Sequence, residues 1–406
     1  MKTLSTKELI PLYAVLFLGF LGYSLTIALF IPMLMDRHFP LLSLDSPLSL
    51  RTTLSGLLLA MYPLGQFIGS PIIGKLTDHF GRKKILVLSL MLCLVGFIGI
   101  AISILFHQIS FLFLFSFFTG ICESNMSISQ SIIADKCQDV IQRTKLIGHS
   151  YSACSLGYII GPLLGGFAGH ALGYSGPFWV TIIGILVIIL WVHFSLEETQ
   201  PTQQGPVKII QAVSAFKTIF QNPKLTKIYL FNFLIFFSIM GLYRVVPIYI
   251  VDKWHPSLHI YSLIISYVSF ICLLANLFLL QRIVSFYSTK KLLLILLIIG
   301  GLSIIIIVIP QHFEWIWLTY GFAMIPTVMA LPTCTTWLSH HAESKEQGQV
   351  LGNNQALLVL GEASSAAIGG LIAAIWVPLP IIMMGMILLI AGIYLSLEKS
   401  TEQIAE

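Results

Sequence analysis

The chain has 406 residues, of which 57% are hydrophobic and only 10% charged. A soluble domain carries roughly 25% charged residues, so lipid rather than water is the solvent for most of this surface. The net charge of +5 would suggest an acidic or nucleic-acid partner in a soluble protein; here it fits basic loops facing the cytoplasm, and no nucleic-acid binding is expected.

A lipid-spanning helix needs about 20 apolar residues. Apolar runs between charged or turn-rich breaks predict spans at 10–35, 53–74, 84–106, 110–134, 146–171, 176–196, 227–252, 258–281, 289–310, 313–340, 348–375 and 378–397. The first run follows Lys2 and Lys7 as a signal peptide would. It continues to about Met35 without an A-x-A site, so it reads as an uncleaved first span. The polar interval 197–226, opening EETQPTQQGPVK, reads as a cytoplasmic linker between six-helix bundles at 1–196 and 227–406. The expected fold is an all-α membrane protein of twelve transmembrane helices in two pseudo-symmetric six-helix bundles.

Placing the N-terminus in the cytoplasm leaves only Arg37, Arg51 and Lys253 outside and Arg244 within a span; every other Lys and Arg falls inside. The asymmetry predicts both termini and the linker in the cytoplasm, with a bacterial inner membrane as the expected location. The six cysteines lie in or beside apolar runs without a CxxC pair, and the 11 histidines are scattered. No disulfide frame, metal site or cofactor is expected. A P-loop-like GSPIIGK at 69–75 lacks the Ser/Thr and the strand that nucleotide binding needs, and Asn125-Met-Ser127 is a glycosylation triplet inside a span. No nucleophile–base pair or soluble module appears, so an enzyme is not expected.

The second half repeats the first. Laying 350–370 over 146–166 matches Gly148 with Gly352, Gly157 with Gly361, Gly165 with Gly369 and Gly166 with Gly370, and Pro32 of span one has a counterpart in Pro247 of span seven. Such duplication is a common plan for transport proteins.

Two motifs carry a resemblance. The loop after span two, Gly74-Lys-Leu-Thr-Asp78-His-Phe-Gly81-Arg82-Lys83-Lys84, resembles the signature of the major facilitator superfamily, with His79 where a basic residue is usual. Gly157-Tyr-Ile-Ile-Gly161-Pro162-Leu-Leu-Gly165-Gly166 is similar to the fifth-helix motif of its drug/proton antiporter branch, and Asp135 with Arg143 fits the intervening loop. The resemblance implies a secondary transporter, working as a monomer by alternating access and moving a small organic molecule with protons as the coupling ion. Proton-driven efflux by antiport is the expected mode, and uptake of a nutrient, siderophore or other metabolite is the alternative. Gly74 and Gly81 would permit tight helix contact and a sharp turn. Asp78 would latch a cytoplasmic gate through Arg or Lys neighbours, and the kinked glycine face at Pro162 would act as a hinge. Two departures stand out: Ser116 replaces the usual fourth-helix arginine, and the first span has no acid between Leu9 and Met35.

An ionisable side chain deep in a span costs a few kcal/mol and is presumed functional. Three positions qualify: Glu123, Arg244 and Glu362. Ser116, Thr119, Glu123, Ser127 and Gln130 recur at helical spacing and predict one polar stripe along span four. Glu123 is expected as the main proton or substrate carboxylate and Glu362 as the second. Arg244, beside Tyr243, is expected as their partner or an anion contact.

Overall fold

The computed structural model describes residues 6–137, 139–198, 215–343 and 346–397. Lys2, Lys208, Lys345, Lys399 and residues 199–214 of the expected linker lie outside the described residues. Among the described residues, twelve helices are long and apolar enough to cross a membrane: Lys7–Met35, Leu48–Phe80, Arg82–Leu105, Ile109–Lys136, Gln142–Leu172, Gly176–Ser195, Pro223–Trp254, Leu258–Ile283, Thr289–Ile306, Trp315–His340, Gln347–Ala373 and Leu379–Leu397. We call them spans one to twelve.

The chain folds as two compact units. One joins Met1–Ala215 to Ile250–Ser269, and the other joins Phe216–Tyr249 to Phe270–Glu406. In each unit one helix is the most deeply packed. The apolar window is 72% buried in span one and 83% in span seven, which makes these the central posts of their units.

Span five lies along span one through its glycines. A Cβ at Gly157 would run into the Phe17 carbonyl and Leu21 nitrogen, one at Gly161 into Ser24 and the Leu21 carbonyl, and one at Gly165 would come 3.1 Å from Leu25. Ser24 donates to the Gly157 carbonyl at 3.2 Å, which ties the two helices. The second unit repeats the arrangement, with Gly361 facing Phe236 and Phe237 of span seven and Gly369 facing Val245. Leu21 and Phe236 stand the same number of residues before Pro32 and Pro247. Gly148 and its counterpart Gly352 both face open space. Gly166 turns away from span one and abuts Ser262 and His259 at the start of span eight. That segment is anchored on the first unit by the Tyr261 hydroxyl, which donates to the Ile27 carbonyl at 3.0 Å.

Four details differ from the sequence expectation. The segment expected as a loop at 74–84 is helical through Phe80, and the chain reverses on one residue. Gly81 has φ 97°, a conformation that glycine adopts at no steric cost, and its N–H caps the Thr77 carbonyl. Asp78 therefore sits in the last turn of a helix. Gly74 makes no tight contact, since a Cβ there would meet nothing within 4 Å. The close approach of span two comes instead from Gly65 and Gly69, which abut the Phe117 and Ile121 carbonyls of span four.

Arg51, expected in an outer loop, is buried in the first turns of span two. Its guanidinium donates to the carbonyls of Leu34 (2.8 Å), Asp36 (3.1 Å), Ser43 (2.9 Å) and Ser46 (3.4 Å). It thus closes the end of span one and the turn that follows.

Span four is interrupted. One helix ends at Cys122, Glu123 is extended (φ −92°, ψ 112°), and a second helix runs Asn125–Lys136. The break disrupts the expected stripe: Ser116, Thr119 and Glu123 are buried, Gln130 is half-buried, and Ser127 is exposed. In its place Ser124, Asn125 and Ser129 turn inward. Span eight also departs from a regular α-helix, widening to a π-turn over Ala275–Leu280.

Candidate functional site

Three clusters hold the expected site residues. In the first, the Glu123 carboxyl turns towards span one, where only a glycine leaves it room; a Cβ at Gly19 would come 2.8 Å from Glu123 Oε1. The Asn125 side chain hydrogen-bonds the carboxyl. Glu123 Oε2 is buried with no hydrogen-bond partner among the described residues. The group lines a cavity of about 10 Å³, room for a single water. Its other walls are Val15 and Leu18 of span one, Leu90, Cys93 and Phe97 of span three, and Ile185 and Ile188 of span six. Such a pocket has room for a proton or a water. No Lys or Arg is among its lining residues. Above the break, Thr119 spends its hydroxyl on the Phe115 carbonyl at 2.6 Å. Ser116 Oγ, Ser124 Oγ, Ser129 Oγ and Gln130 Nε2 are buried without a hydrogen-bond partner among the described residues.

The second cluster lies in the other unit. Arg244 of span seven is 1% exposed and forms an ion pair with Glu362 of span eleven. Glu362 is one of the two carboxylates expected to partner this arginine. Beside it, the Tyr243 hydroxyl lies 3.1 Å from Cys272 Sγ of span eight. The same span continues into the π-turn, where Asn276 Oδ1 is buried without a hydrogen-bond partner among the described residues. A π-turn inside an α-helix frequently marks a functional site. The repeat position of Glu362 in the first unit is Tyr158, which packs on Phe20 and Tyr23 with ring centroids 5.5 and 5.8 Å apart. An aromatic cluster thus occupies in one unit the place that an ion pair holds in the other.

The third cluster gathers at Gly81. Arg82 grips Asp135 with two bonds, Nε–Oδ2 at 2.5 Å and Nη2–Oδ1 at 3.2 Å. The backbone N–H groups of Lys83 and Lys84 both donate to Glu198, each at 3.0 Å. A carboxylate at a helix N-terminus satisfies orphan donors and opposes the helix dipole. Lys136 pairs with Glu8 at 2.5 Å, which joins the end of span four to the start of span one. Asp78 is half-buried nearby in span two, and Arg143 stands in the first turn of span five outside the Arg82–Asp135 pair.

Sequence reasoning missed Arg51, Glu8, Glu198 and a buried asparagine network in the second unit. In that network Asn232 donates to Asn354 Oδ1 (2.9 Å) and to the Cys334 carbonyl (3.3 Å), and Asn353 donates to Thr218 (2.9 Å). Asn232 within an otherwise apolar run was the available signal for that network. Nothing local marks Glu8 or Glu198, whose partners lie far away in sequence.

The sequence profile of the Major Facilitator Superfamily matches residues 12–253 and 228–404. The chain belongs to the Major Facilitator Superfamily. It has the twelve candidate spans of a multi-pass membrane protein, and the family is one of secondary transporters. Among curated proteins it is 33% identical over 181 residues to the class B tetracycline resistance protein of Escherichia coli, covering 44% of each chain. It is 28% identical over 229 residues to the cis,cis-muconate transport protein of Acinetobacter baylyi, covering 55% of this chain and 53% of that one. The chain thus spans about half the length of these two relatives. The match to multidrug resistance protein 2 of Bacillus subtilis is longer, 22% identical over 384 residues, covering 92% and 91%. Solved structures of superfamily members share the fold. The nucleoside transporter NupG has a TM-score of 0.77 at 11% identity, covering 96% of this chain and 99% of that one. The human organic anion transporter MFSD10 (TETRAN) has 0.69 at 17%, with the same coverage.

Proposed function

We propose that this superfamily member is a proton-coupled exporter, exchanging a small amphipathic organic compound for protons by alternating access. The observation that carries the proposal is the Glu123 carboxyl, buried at a helix break with one oxygen unpartnered in a cavity the size of a water. An ion in such surroundings is expensive and a neutral acid is not, so the residue serves as the proton carrier. Arg244, Glu362 and Tyr243 form the second polar site. Arg82–Asp135, with Asp78 and Glu198, is the gate latch, and the Gly157–Gly166 face is the surface on which the helices move. The similarity to tetracycline and multidrug resistance proteins favours export. In this reading both termini and the linker at 197–226 are cytoplasmic, the six-helix bundles are 1–196 and 227–406, the membrane is a bacterial inner membrane, and the monomer is the working unit.

A second reading, proton-coupled uptake of a metabolite, draws on the similarity to the muconate transport protein. It also draws on Ser116 standing where the antiporter resemblance expects arginine.

The test is flux in proteoliposomes under a pH gradient, with tetracycline as the probe and a pH-sensitive dye for protons. Glu123→Gln keeps the shape of the side chain and removes the titrating oxygen. Proton-driven accumulation is expected to fall to background in this variant, while its melting temperature stays near that of the parent. Unchanged coupling would overturn the assignment. Deletion of the gene separates the two readings: raised sensitivity to amphipathic drugs marks export, and a new nutrient requirement marks uptake.

A further inference from the structure

Span four has no Pro or Gly between Ile121 and Lys136, yet its helix stops at Cys122 and restarts at Asn125. Irregular backbone at membrane depth survives only where it is buried in protein or lines a cavity, and here the surroundings supply what the helix lacks. The Ser89 hydroxyl of span three donates to the Cys122 carbonyl at 2.5 Å and lies 3.4 Å from Asn125 Oδ1. The Glu123 N–H turns to the Gly120 carbonyl at 3.2 Å, and the Ile128 N–H takes the Ser124 carbonyl at 3.1 Å.

The two halves of the span are held very differently. The first half is clamped, with Gly65, Gly69 and Gly120 bringing its backbone directly against that of span two. The second half, Asn125–Lys136, carries at its far end one partner of each of the Arg82–Asp135 and Lys136–Glu8 ion pairs. At a rise of 1.5 Å per residue, Asp135 is about 15 Å from Asn125 along the helix.

We propose that the break at Glu123–Ser124 is a proton-operated hinge, through which the charge on Glu123 sets the position of Asn125–Lys136 and so of the two ion pairs at its end. The proposal rests on reading Glu123 as the proton-carrying carboxyl. The neutral acid stays in its apolar cavity beside Gly19. Loss of the proton leaves an ion whose second oxygen has no donor, and the carboxylate swings out towards water. The backbone of residues 123 and 124 turns with it, rotating the second half-helix and pulling Asp135 and Lys136 against Arg82 and Glu8. The titratable groups around the carboxyl are thiols: Cys93 of span three, Cys154 of span five and the adjacent Cys122. Spans one and six contribute only apolar side chains and Gly19 to the cavity.

Pulsed electron resonance on the full chain in lipid nanodiscs tests this. Spin labels go on Ser127→Cys, exposed on the second half-helix, and Phe194→Cys, 82% exposed on span six; the six native cysteines are buried. From acid to alkaline pH the parent is expected to exchange one distance population for another. Glu123→Gln is expected to hold the acid population at every pH. Gly19→Ala, which crowds the carboxyl out of its seat, is expected to show the alkaline population already at acid pH. A separation independent of pH in the parent would overturn the hinge, as would a pH response retained in Glu123→Gln or a shift of both variants in the same direction. Flux separates this from the assignment beneath it. If Glu123→Gln abolishes proton-driven tetracycline flux while the parent's separation ignores pH, the hinge fails and the proton carrier stands. If coupling survives Glu123→Gln, both fail.

Discussion

Gly157→Ala adds one methyl group between two helix backbones. The new Cβ would lie against the Phe17 carbonyl, 2.8 Å from the Leu21 nitrogen and 3.1 Å from Phe20 Cβ. Backbone atoms cannot rotate aside as a side chain would, so spans one and five must separate along their shared face. Overpacking of this kind costs about 1–3 kcal/mol, and a backbone neighbour puts it at the upper end. The helix propensity of alanine returns about 1 kcal/mol, leaving a net loss of about 2 kcal/mol. Gly148→Ala is the matched control. It lies in the same helix, faces open space, and is expected to gain about 0.5–1 kcal/mol. The two variants should therefore differ by about 3 kcal/mol. Gly361→Ala, with its nearest neighbours at 3.1 Å, falls between them, and Gly352→Ala, again in open space, behaves like Gly148→Ala. Because all six cysteines are buried, a thiol-reactive dye reports unfolding of the purified protein directly. If Gly157→Ala melts at or above Gly148→Ala, the glycine face is not a packing surface and the correspondence between the two units loses its structural support.

Two further variants probe the buried cations. Arg51→Leu removes the donors from four carbonyls, and a hydrogen bond to a charged group is worth about 1.5–3 kcal/mol. A clear drop in melting temperature is expected, with only partial recovery in Arg51→Lys, whose single ammonium cannot fork between them; full recovery by lysine would refute the geometry. Arg244→Leu removes the cation paired with the buried Glu362 and is expected to destabilise by about 3–5 kcal/mol, whereas changing both residues to Leu should restore most of the stability. Equal melting temperatures for the single and double variants would mean that the pair is not a coupled unit.

The spans were legible because their signal is local: an apolar run long enough to cross lipid needs no knowledge of its neighbours. The glycines of span five were legible for a similar reason, since their spacing alone puts Gly157, Gly161 and Gly165 on one face. What misled was anything that required a partner. Gly74 looked like a packing glycine because of the motif around it, yet Gly65 and Gly69 do that work on the same helix. Arg51 looked like a loop residue because it is charged and near a span end, but four carbonyls gather around it. The break in span four was invisible because no Pro or Gly makes it. Ser89, from another helix, satisfies the backbone that the break frees. Once the helix is broken, a stripe drawn at 3.6-residue spacing cannot continue through it, which is why Ser127 falls outside the cluster and Asn125 enters it.

The two units therefore share a frame and differ in their use of charge. Gly157 faces span one and Gly361 faces span seven in corresponding places, the first more tightly, but beside the second stands Glu362, where the first has Tyr158. Glu362 meets Arg244, and the two charges cancel where they are buried. Such a pair is neutral as a unit and needs no proton to remain inside. Glu123 has no cation among the residues lining its cavity and can become neutral there only by taking up a proton. A carrier that must bind a proton in one state and lose it in the other needs one acid of the second kind. An acid already matched to arginine serves better as a fixed charge pair that a polar substrate group could open. Duplication supplies two copies of each position, and under the proposed function the divergence of Tyr158 from Glu362 would put these roles in different units. The prediction for Arg244→Leu follows from the same logic: removing the guanidinium takes the opposite charge away from the buried Glu362 carboxylate. Proton-driven flux in that variant should then respond to pH differently from the parent, whereas an unchanged profile would mean that Glu362 plays no part in the proton balance.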